Sequence, residues 1–132
     1  TSDYVKLLPV LRLNEWEIRM SNYPDFPSFR PFGDWSASNP TKSLSWYDAY
    51  NAVKHDREAN FSEAKLECMV QSLGACFVML LAQFGSPNAY FHDSHYPMPF
   101  AVVTEPDWPL TEQYMAPYSL PWHSIDWSSV TF

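Results

Sequence analysis

The stretch that decides the fold is NFSEAKLECMVQSLGACFVMLLAQF, residues 60–84. Asn60 followed three residues later by Glu63 is typical of the capping box that begins a helix. Gly85 directly after the stretch is typical of a helix end. Between them, large apolar side chains recur every three or four residues, at Leu66, Met69, Val70, Leu73, Phe77, Leu80, Leu81 and Phe84. The pattern predicts one continuous, buried helix over residues 62–84, with Cys76 at the core or its edge.

A second helix is predicted immediately upstream, over residues 43–57. Ser43 is a suitable N-cap residue. The apolar stripe of this helix consists of Trp46, Tyr47, Tyr50 and Val53. The link of residues 58–61 is short enough to fold the two helices back on each other. The sequence therefore predicts an antiparallel helix pair over residues 43–84.

The segments on either side of this pair are rich in proline and aromatic residues. The chain has 12 Pro, 9 Phe, 8 Tyr and 6 Trp against only 3 Gly. Such a composition is typical of ordered, irregular chain pinned to a core by its rings. We expect residues 1–42 to form an extended aromatic arm and residues 85–132 a Pro/aromatic strap.

One small β-ribbon fits these flanking segments. Residues 15–20 alternate polar and apolar side chains with the period of a half-buried strand, although Leu7, Leu8, Leu11 and Ile18 also fit a helix. Residues 100–104 form a second short apolar run that can pair with this strand. The 132 residues are enough for one domain. The fold class is therefore mainly α, in one domain over residues 1–132; because the first residue is Thr1 rather than Met, we expect further elements before it.

Charge and cysteine content limit the classes of function. The net charge is −7, which disfavours nucleic-acid binding by bulk electrostatics. Cys68 and Cys76 lie eight residues apart on the predicted helix, which separates their backbones by about 12 Å and prevents a disulfide. Free thiols favour a cytoplasmic location. No uninterrupted apolar run approaches the length of a membrane span, so we expect no contact with a membrane.

Polar side chains with chemical use gather near the end of the first predicted helix. Asn51 and Lys54 are three residues apart, and Asn51 and His55 are four apart, so the three share a face. Arg57 follows two residues later on a different face. A histidine and basic residues at a helix C-terminus also stabilise the helix dipole, so a purely structural capping role is an alternative interpretation.

The segment around Asn51-x-x-x-His55 resembles the HEPN superfamily of helical domains, over about residues 44–84. The family signature places an Arg before a polar residue and a His at a helix end, and here Tyr50 stands in the place of the Arg. Active members are metal-independent ribonucleases that usually act as homodimers. In them the His and the Arg act on the 2′-hydroxyl and the scissile phosphate.

The resemblance implies a catalytically degenerate domain, because Tyr50 cannot supply a cation. Such a domain would act by homodimerisation and by weak RNA or nucleotide contact through Asn51, Lys54, His55 and Arg57. One alternative function is a protein-interaction or structural module that binds a protein partner and has no nucleic-acid role. Another is an active metal-independent ribonuclease.

A metal site and a cofactor site are both disfavoured. His92 and His95 form a His-x-x-His pair to which His123 and Asp126 could add ligands, but no third ligand follows at a characteristic spacing. We therefore interpret this segment as an ordered polar loop. The sequence contains no glycine-rich phosphate loop and no serine nucleophile elbow. We expect no metal and no cofactor.

Overall fold

The computed structural model describes residues 3–84 and 98–109. Their α-helices are α1 (Leu7–Val10), α2 (Ser45–His55) and α3 (Leu66–Phe84), and their strands are β1 (Glu17–Met20) and β2 (Phe100–Thr104). Short 3₁₀ turns occupy Tyr4–Lys6, Leu13–Glu15 and Phe61–Glu63. The described chain is mainly helical with one small antiparallel sheet, as the sequence predicts.

The sheet joins the arm to the segment after the helices. β1 and β2 are antiparallel, with Ile18 opposite Val102 and Met20 opposite Phe100. On the other side of β1, Ile18 and Phe29 exchange two backbone hydrogen bonds of 3.0 and 2.9 Å. The predicted β-ribbon is confirmed, and Phe29 adds a single bridge to it.

The helix starts differ from the prediction because both expected caps have other partners. The Ser43 hydroxyl accepts a hydrogen bond of 3.0 Å from the backbone N–H of Ser36, and α2 begins two residues later at Ser45. The predicted capping box at Asn60 and Glu63 is wrong. A separate 3₁₀ turn follows Asn60, and α3 begins only at Leu66.

The core lies between α3, the sheet and the aromatic arm. Ile18 and Val78 are fully buried, and Phe77 packs against Phe100 with 5.7 Å between ring centroids. Phe29 meets Phe100 edge to face at 6.2 Å. The buried apolar cluster consists of Leu13, Trp16, Ile18, Phe32, Leu44, Val70, Ala75, Phe77, Val78, Leu81 and Phe100. Aromatic residues of the arm therefore build the core, as their number suggests.

The prediction that α3 is buried along its whole apolar pattern is wrong. Leu66 is 71% exposed, and Met69, Leu73 and Leu80 are each just over half exposed. Cys76 is also exposed. The buried side chains of α3 are Val70, Gly74, Ala75, Phe77, Val78 and Leu81. The sheet and the arm cover only one side of this helix, whereas its apolar residues lie on all sides.

The length and composition of α3 bear on the expectation about membrane spans. Within the described residues it is one helix of 19 residues with mean hydropathy 1.5, of which 33% is buried. By length and composition alone it could cross a membrane, although the core helix of a protein outside a membrane satisfies the same criterion. Counting uninterrupted apolar residues misses it because Glu67, Gln71 and Ser72 interrupt the run.

Most of the predicted strap and the whole histidine-rich segment lie outside the described residues. This applies to His92, His95, His123 and Asp126, and to residues 85–97 and 110–132 in general.

Candidate functional site

A large apolar groove runs between α2 and α3. Its volume is about 1150 Å³, slightly above the roughly 300–1,000 Å³ of most ligand-binding clefts. On the α2 side it is bordered by Tyr50 and Val53. On the α3 side, Met69, Cys76 and Met79 form its wall, and small side chains at Ala75 and Ser72 leave it open. Further lining residues are Phe32, Trp46, Tyr47, Ala49, Ala64, Cys68, Leu80 and Gln83.

Charged residues of the lining gather where α2 ends and α3 begins. They are Lys54, Glu63 and Lys65. The Lys54 ammonium lies 5.7 Å from the centroid of the Tyr50 ring, a distance at which a cation is attracted to the ring face. The Lys65 ammonium lies 3.9 Å from the Glu63 carboxylate, and both side chains are about half exposed. This end of the groove therefore carries two cations and one anion.

Of the four residues that the sequence groups into one candidate site, one lines the groove and three do not. Lys54 lies against Tyr50 and lines the groove, whereas Asn51, His55 and Arg57 are not among the lining residues. Asn51 is half-buried, and His55 and Arg57 are exposed. All four are on or next to the same helix end, but only Lys54 shares a cavity with the apolar groups.

The Asn60 side chain caps the C-terminal end of α2 by hydrogen bonding. The Asn60 side-chain amide donates hydrogen bonds to the backbone oxygens of Ala52 and Asp56, at 3.3 and 3.0 Å. The backbone N–H of Asp56 also donates to the Ala52 oxygen at 3.0 Å. Asn60 thus satisfies carbonyls that a helix end leaves unpaired. His55 and Lys54 lie in the last turn of α2, where positive charge favours the helix dipole, so the structural interpretation of His55 remains an alternative.

A line of exposed apolar side chains follows α3 beside the groove. We call it the α3 stripe; it consists of Leu66, Met69, Leu73, Cys76 and Leu80. The spacings along it alternate between three and four residues. Met69, Cys76 and Leu80 also border the groove. The stripe and the groove are therefore one continuous apolar surface.

The ionisable groups with clearly shifted pKa values lie elsewhere, at the junction of the arm and the sheet. Hydrogen bonds from Arg12 lower the pKa of Glu15, through a paired contact of 2.7 and 2.5 Å. A hydrogen bond from the Ser28 hydroxyl lowers the pKa of Glu17, with a weaker contribution from Arg30. Both pairs are structural links in the arm.

The described part of the chain contains neither a cluster of metal ligands nor a disulfide. Among residues 3–84 and 98–109, no three His, Cys, Asp or Glu side chains are placed to hold one metal ion. Cys68 and Cys76 are free thiols, as predicted, and both line the groove.

Sequence reasoning missed the α3 wall of the groove. A signal for it was present, because Glu67 is the one charged residue within Leu66–Phe84. A helix that is apolar on every side needs cover on every side, and one sheet with one neighbouring helix cannot supply it. That observation indicates a second apolar contact but does not say where it lies.

The chain was compared with models of protein families, with curated proteins and with solved structures, and none of the three comparisons found a match.

Proposed function

We propose that this chain is a protein-interaction domain that forms homodimers through the α3 stripe. The observation that supports this most directly is the exposure of Leu66, Leu73 and Leu80, each more than half accessible at intervals of seven residues. Monomeric proteins seldom leave a contiguous line of large apolar side chains in water. The helix pair α2–α3 would serve as the rigid platform for this line.

The spacing of the α3 stripe fits a helical partner. Positions 66, 69, 73, 76 and 80 follow the a and d positions of a heptad repeat, which form the seam of a two-helix contact. In an antiparallel arrangement Leu73 would face Cys76 of the second copy, and Met69 would face its Leu80. Each of these four side chains then meets another apolar side chain, whereas Leu66 would face Gln83 of the second copy. The dipoles of the two helices would also point in opposite directions in this arrangement, and antiparallel dipoles side by side attract each other.

Charge and area are compatible with a second copy as the partner. Two chains of net charge −7 repel each other in general. The stripe itself carries no charge, so this contact brings the chains together without placing carboxylates opposite each other. Its exposed apolar area, with Tyr50 beside it, is on the order of 500 Å² per chain. Polar neighbours would extend this toward the roughly 800 Å² per partner of a stable interface.

Sedimentation of the wild type and two variants tests this proposal. We expect the wild type at micromolar concentration to sediment as twice 15.3 kDa. Leu73→Glu would place a carboxylate in the centre of the seam and should give a monomer. Tyr23→Glu is the matched control, because Tyr23 is 62% exposed, follows β1 and does not line the groove; it should leave the dimer intact. A wild type that stays monomeric up to 100-fold higher concentration would contradict the proposal.

A second candidate function is weak RNA or nucleotide contact at the end of α2, which the HEPN resemblance implies. The observation that favours it is the position of His55, which is exposed while Asn60 supplies the helix cap. Charge-assisted hydrogen bonds to phosphate need only reach and exposure. Cleavage should be absent or marginal, because Tyr50 replaces the signature Arg, and losing one such stabilising group typically costs about 10² to 10³ in rate.

The test of this candidate uses single-stranded RNA without metal at low salt. Binding that His55→Ala weakens and that Lys42→Ala leaves unchanged would support RNA contact at α2. Cleavage that His55→Ala abolishes would establish an active ribonuclease and overturn the degenerate interpretation. Failure of the wild type to bind would leave the interaction domain as the function.

A further inference from the structure

We propose that the groove between α2 and α3 is a binding site for a ligand with one unbranched hydrocarbon chain and one anionic head group. This proposal goes beyond the homodimer and does not depend on it. The lining suits a hydrocarbon chain because most of it is aromatic or aliphatic, with Met69 and Met79 in the wall. Methionine side chains adapt to irregular apolar shapes. Ligand sites in general combine such a lining with a few polar groups that fix the ligand's orientation.

The charged end of the groove determines the sign of the head group. The whole chain has net charge −7, yet the charged groups of the lining are Lys54, Lys65 and Glu63. The local balance is therefore positive in a protein that is otherwise acidic. Lys65 is engaged with Glu63 at 3.9 Å. Within residues 3–84 and 98–109, Lys54 rests on the Tyr50 ring and forms no ion pair with a carboxylate. Its ammonium can therefore receive an anion without breaking an ion pair of this part of the chain.

The polar groups of the groove suit a hydrocarbon chain better than an extended peptide. Besides the charged end and Gln83, the polar side chains of the lining include Ser72, Trp46, Tyr47 and Tyr50. The Ser72 hydroxyl already donates to the Met69 backbone oxygen at 2.8 Å, and the Trp46 ring N–H donates to the Pro31 backbone oxygen at 2.9 Å. An extended peptide would bury backbone N–H and C=O groups without partners, and each of these costs free energy. A hydrocarbon chain has no such groups. The head group would then lie at Lys54, and the chain would run past Ser72 and Cys76 toward Met79.

The two cysteines of the chain provide a direct reporter of occupancy. Cys68 and Cys76 both line the groove, and Cys76 is exposed. A ligand in the groove should slow the reaction of these thiols with a soluble disulfide reagent, because thiol reaction requires access. The chain contains no other cysteine. Because Cys76 also lies in the proposed dimer seam, the groove signal is read in the Leu73→Glu variant, in which that seam is disrupted.

The experiment compares three probes of equal chain length below their micellar concentrations: dodecanoate, dodecan-1-ol and dodecyltrimethylammonium. We expect dodecanoate to protect the thiols at concentrations at least about 10-fold lower than the cationic probe, with the alcohol between them, a preference of about 1.4 kcal/mol. Lys54→Met should remove most of this preference. Lys42→Met is the matched control, because Lys42 is exposed and outside the groove; it should keep the preference.

Two further arms make the outcome decisive. Ser72→Phe should fill the groove and abolish protection by all three probes, while the helical circular dichroism spectrum shows that the chain is folded. Vesicles of anionic phospholipid distinguish the source of the ligand: protection by vesicles indicates a membrane lipid, and protection by dodecanoate alone indicates a free carboxylate. Running the series on Leu73→Glu separates ligand binding from dimerisation. Equal protection by the three probes, or a preference that survives Lys54→Met, overturns the proposal.

Discussion

A methyl group added at Gly74 would lie 2.8 Å from Cδ1 of Ile18. It would also lie 2.9 Å from the Phe29 ring. Carbon atoms do not approach this closely without displacement of one of them. Gly74 is therefore a position of close approach between α3 and Ile18 of β1, and a side chain there would push the helix away from the sheet.

Replacing Gly74 with alanine should destabilise the protein, although alanine is the better helix former by about 1 kcal/mol. The clash with Ile18 and Phe29 outweighs that gain, and we expect a net loss of about 1–3 kcal/mol in the free energy of unfolding, as for an overpacked core. Urea denaturation measures it. Ser72→Ala on the open side of the same helix is the control and should change stability by less than about 0.5 kcal/mol. A Gly74→Ala variant as stable as the wild type would show that α3 can move away from the sheet.

Truncations along α3 should separate its buried side from its exposed side. Phe77→Ala should cost about 3–5 kcal/mol, because Phe77 is buried and packs on Phe100. Leu73→Ala should cost less than about 1 kcal/mol in the monomer, because Leu73 is 54% exposed. The measurement is chemical denaturation at a protein concentration below the dissociation constant of the dimer. Equal losses at the two sites would mean that Leu73 is covered by something other than a second copy.

Asn60→Ala should destabilise α2 while His55→Ala does not. Removing the Asn60 amide leaves the Ala52 and Asp56 oxygens without those donors, which should cost about 0.5–1.5 kcal/mol. Thermal denaturation followed by circular dichroism measures both variants. If His55→Ala were the more damaging change, the capping role would belong to His55 after all.

Stability should decrease as acid protonates Glu15, whose pKa is lowered by its hydrogen bonds with Arg12. The charged carboxylate is favoured in the folded chain, so its contribution is complete above the ordinary pKa of 4.5. It is lost as the pH falls through the lower folded value. Glu15→Gln should therefore be less stable than the wild type at pH 7, and the difference should shrink as the pH falls below 4.5. A difference that is constant over this range would show that the Arg12 contact does not depend on the charge of Glu15.

The elements of this fold can be predicted from periodicity, but the partners of each face cannot. Strand β1 and its pairing with β2 follow from alternation, and the two main helices follow from spacings of three and four. The same spacings place Leu73 in the core, where the structure leaves it exposed. Since α3 is apolar all round, its pattern does not distinguish the side that meets the sheet from the side that meets water.

The candidate site was only partly predictable for a related reason. Sequence spacing identifies which residues share a helix face, so Lys54 was grouped with Asn51 and His55. The Lys54 side chain instead reaches back to the Tyr50 ring, which places its charge at the groove. A long, flexible side chain follows its local attraction, and no spacing rule contains that information. Asn60 is a similar case. Asparagine is common at helix starts, so the sequence predicts a cap for the helix that follows, whereas the Asn60 side chain caps the end of the helix that precedes it.

The contact between Arg12 and Asp107 has a consequence for how the chain reaches its native state. The Arg12 guanidinium donates to the Asp107 backbone oxygen at 2.6 Å across 95 residues, and lies over the Trp108 ring. β1 and β2 pair over a comparable distance along the chain. Such pairings stabilise the fold only after a large loop has closed, and closing it costs chain entropy. They therefore form slowly. During synthesis, β1 must remain without β2 until almost the whole described chain has left the ribosome, and α2 and α3 are complete long before it. The helices are thus available early as a surface for the arm, and we expect closure of the sheet to be a late event of folding.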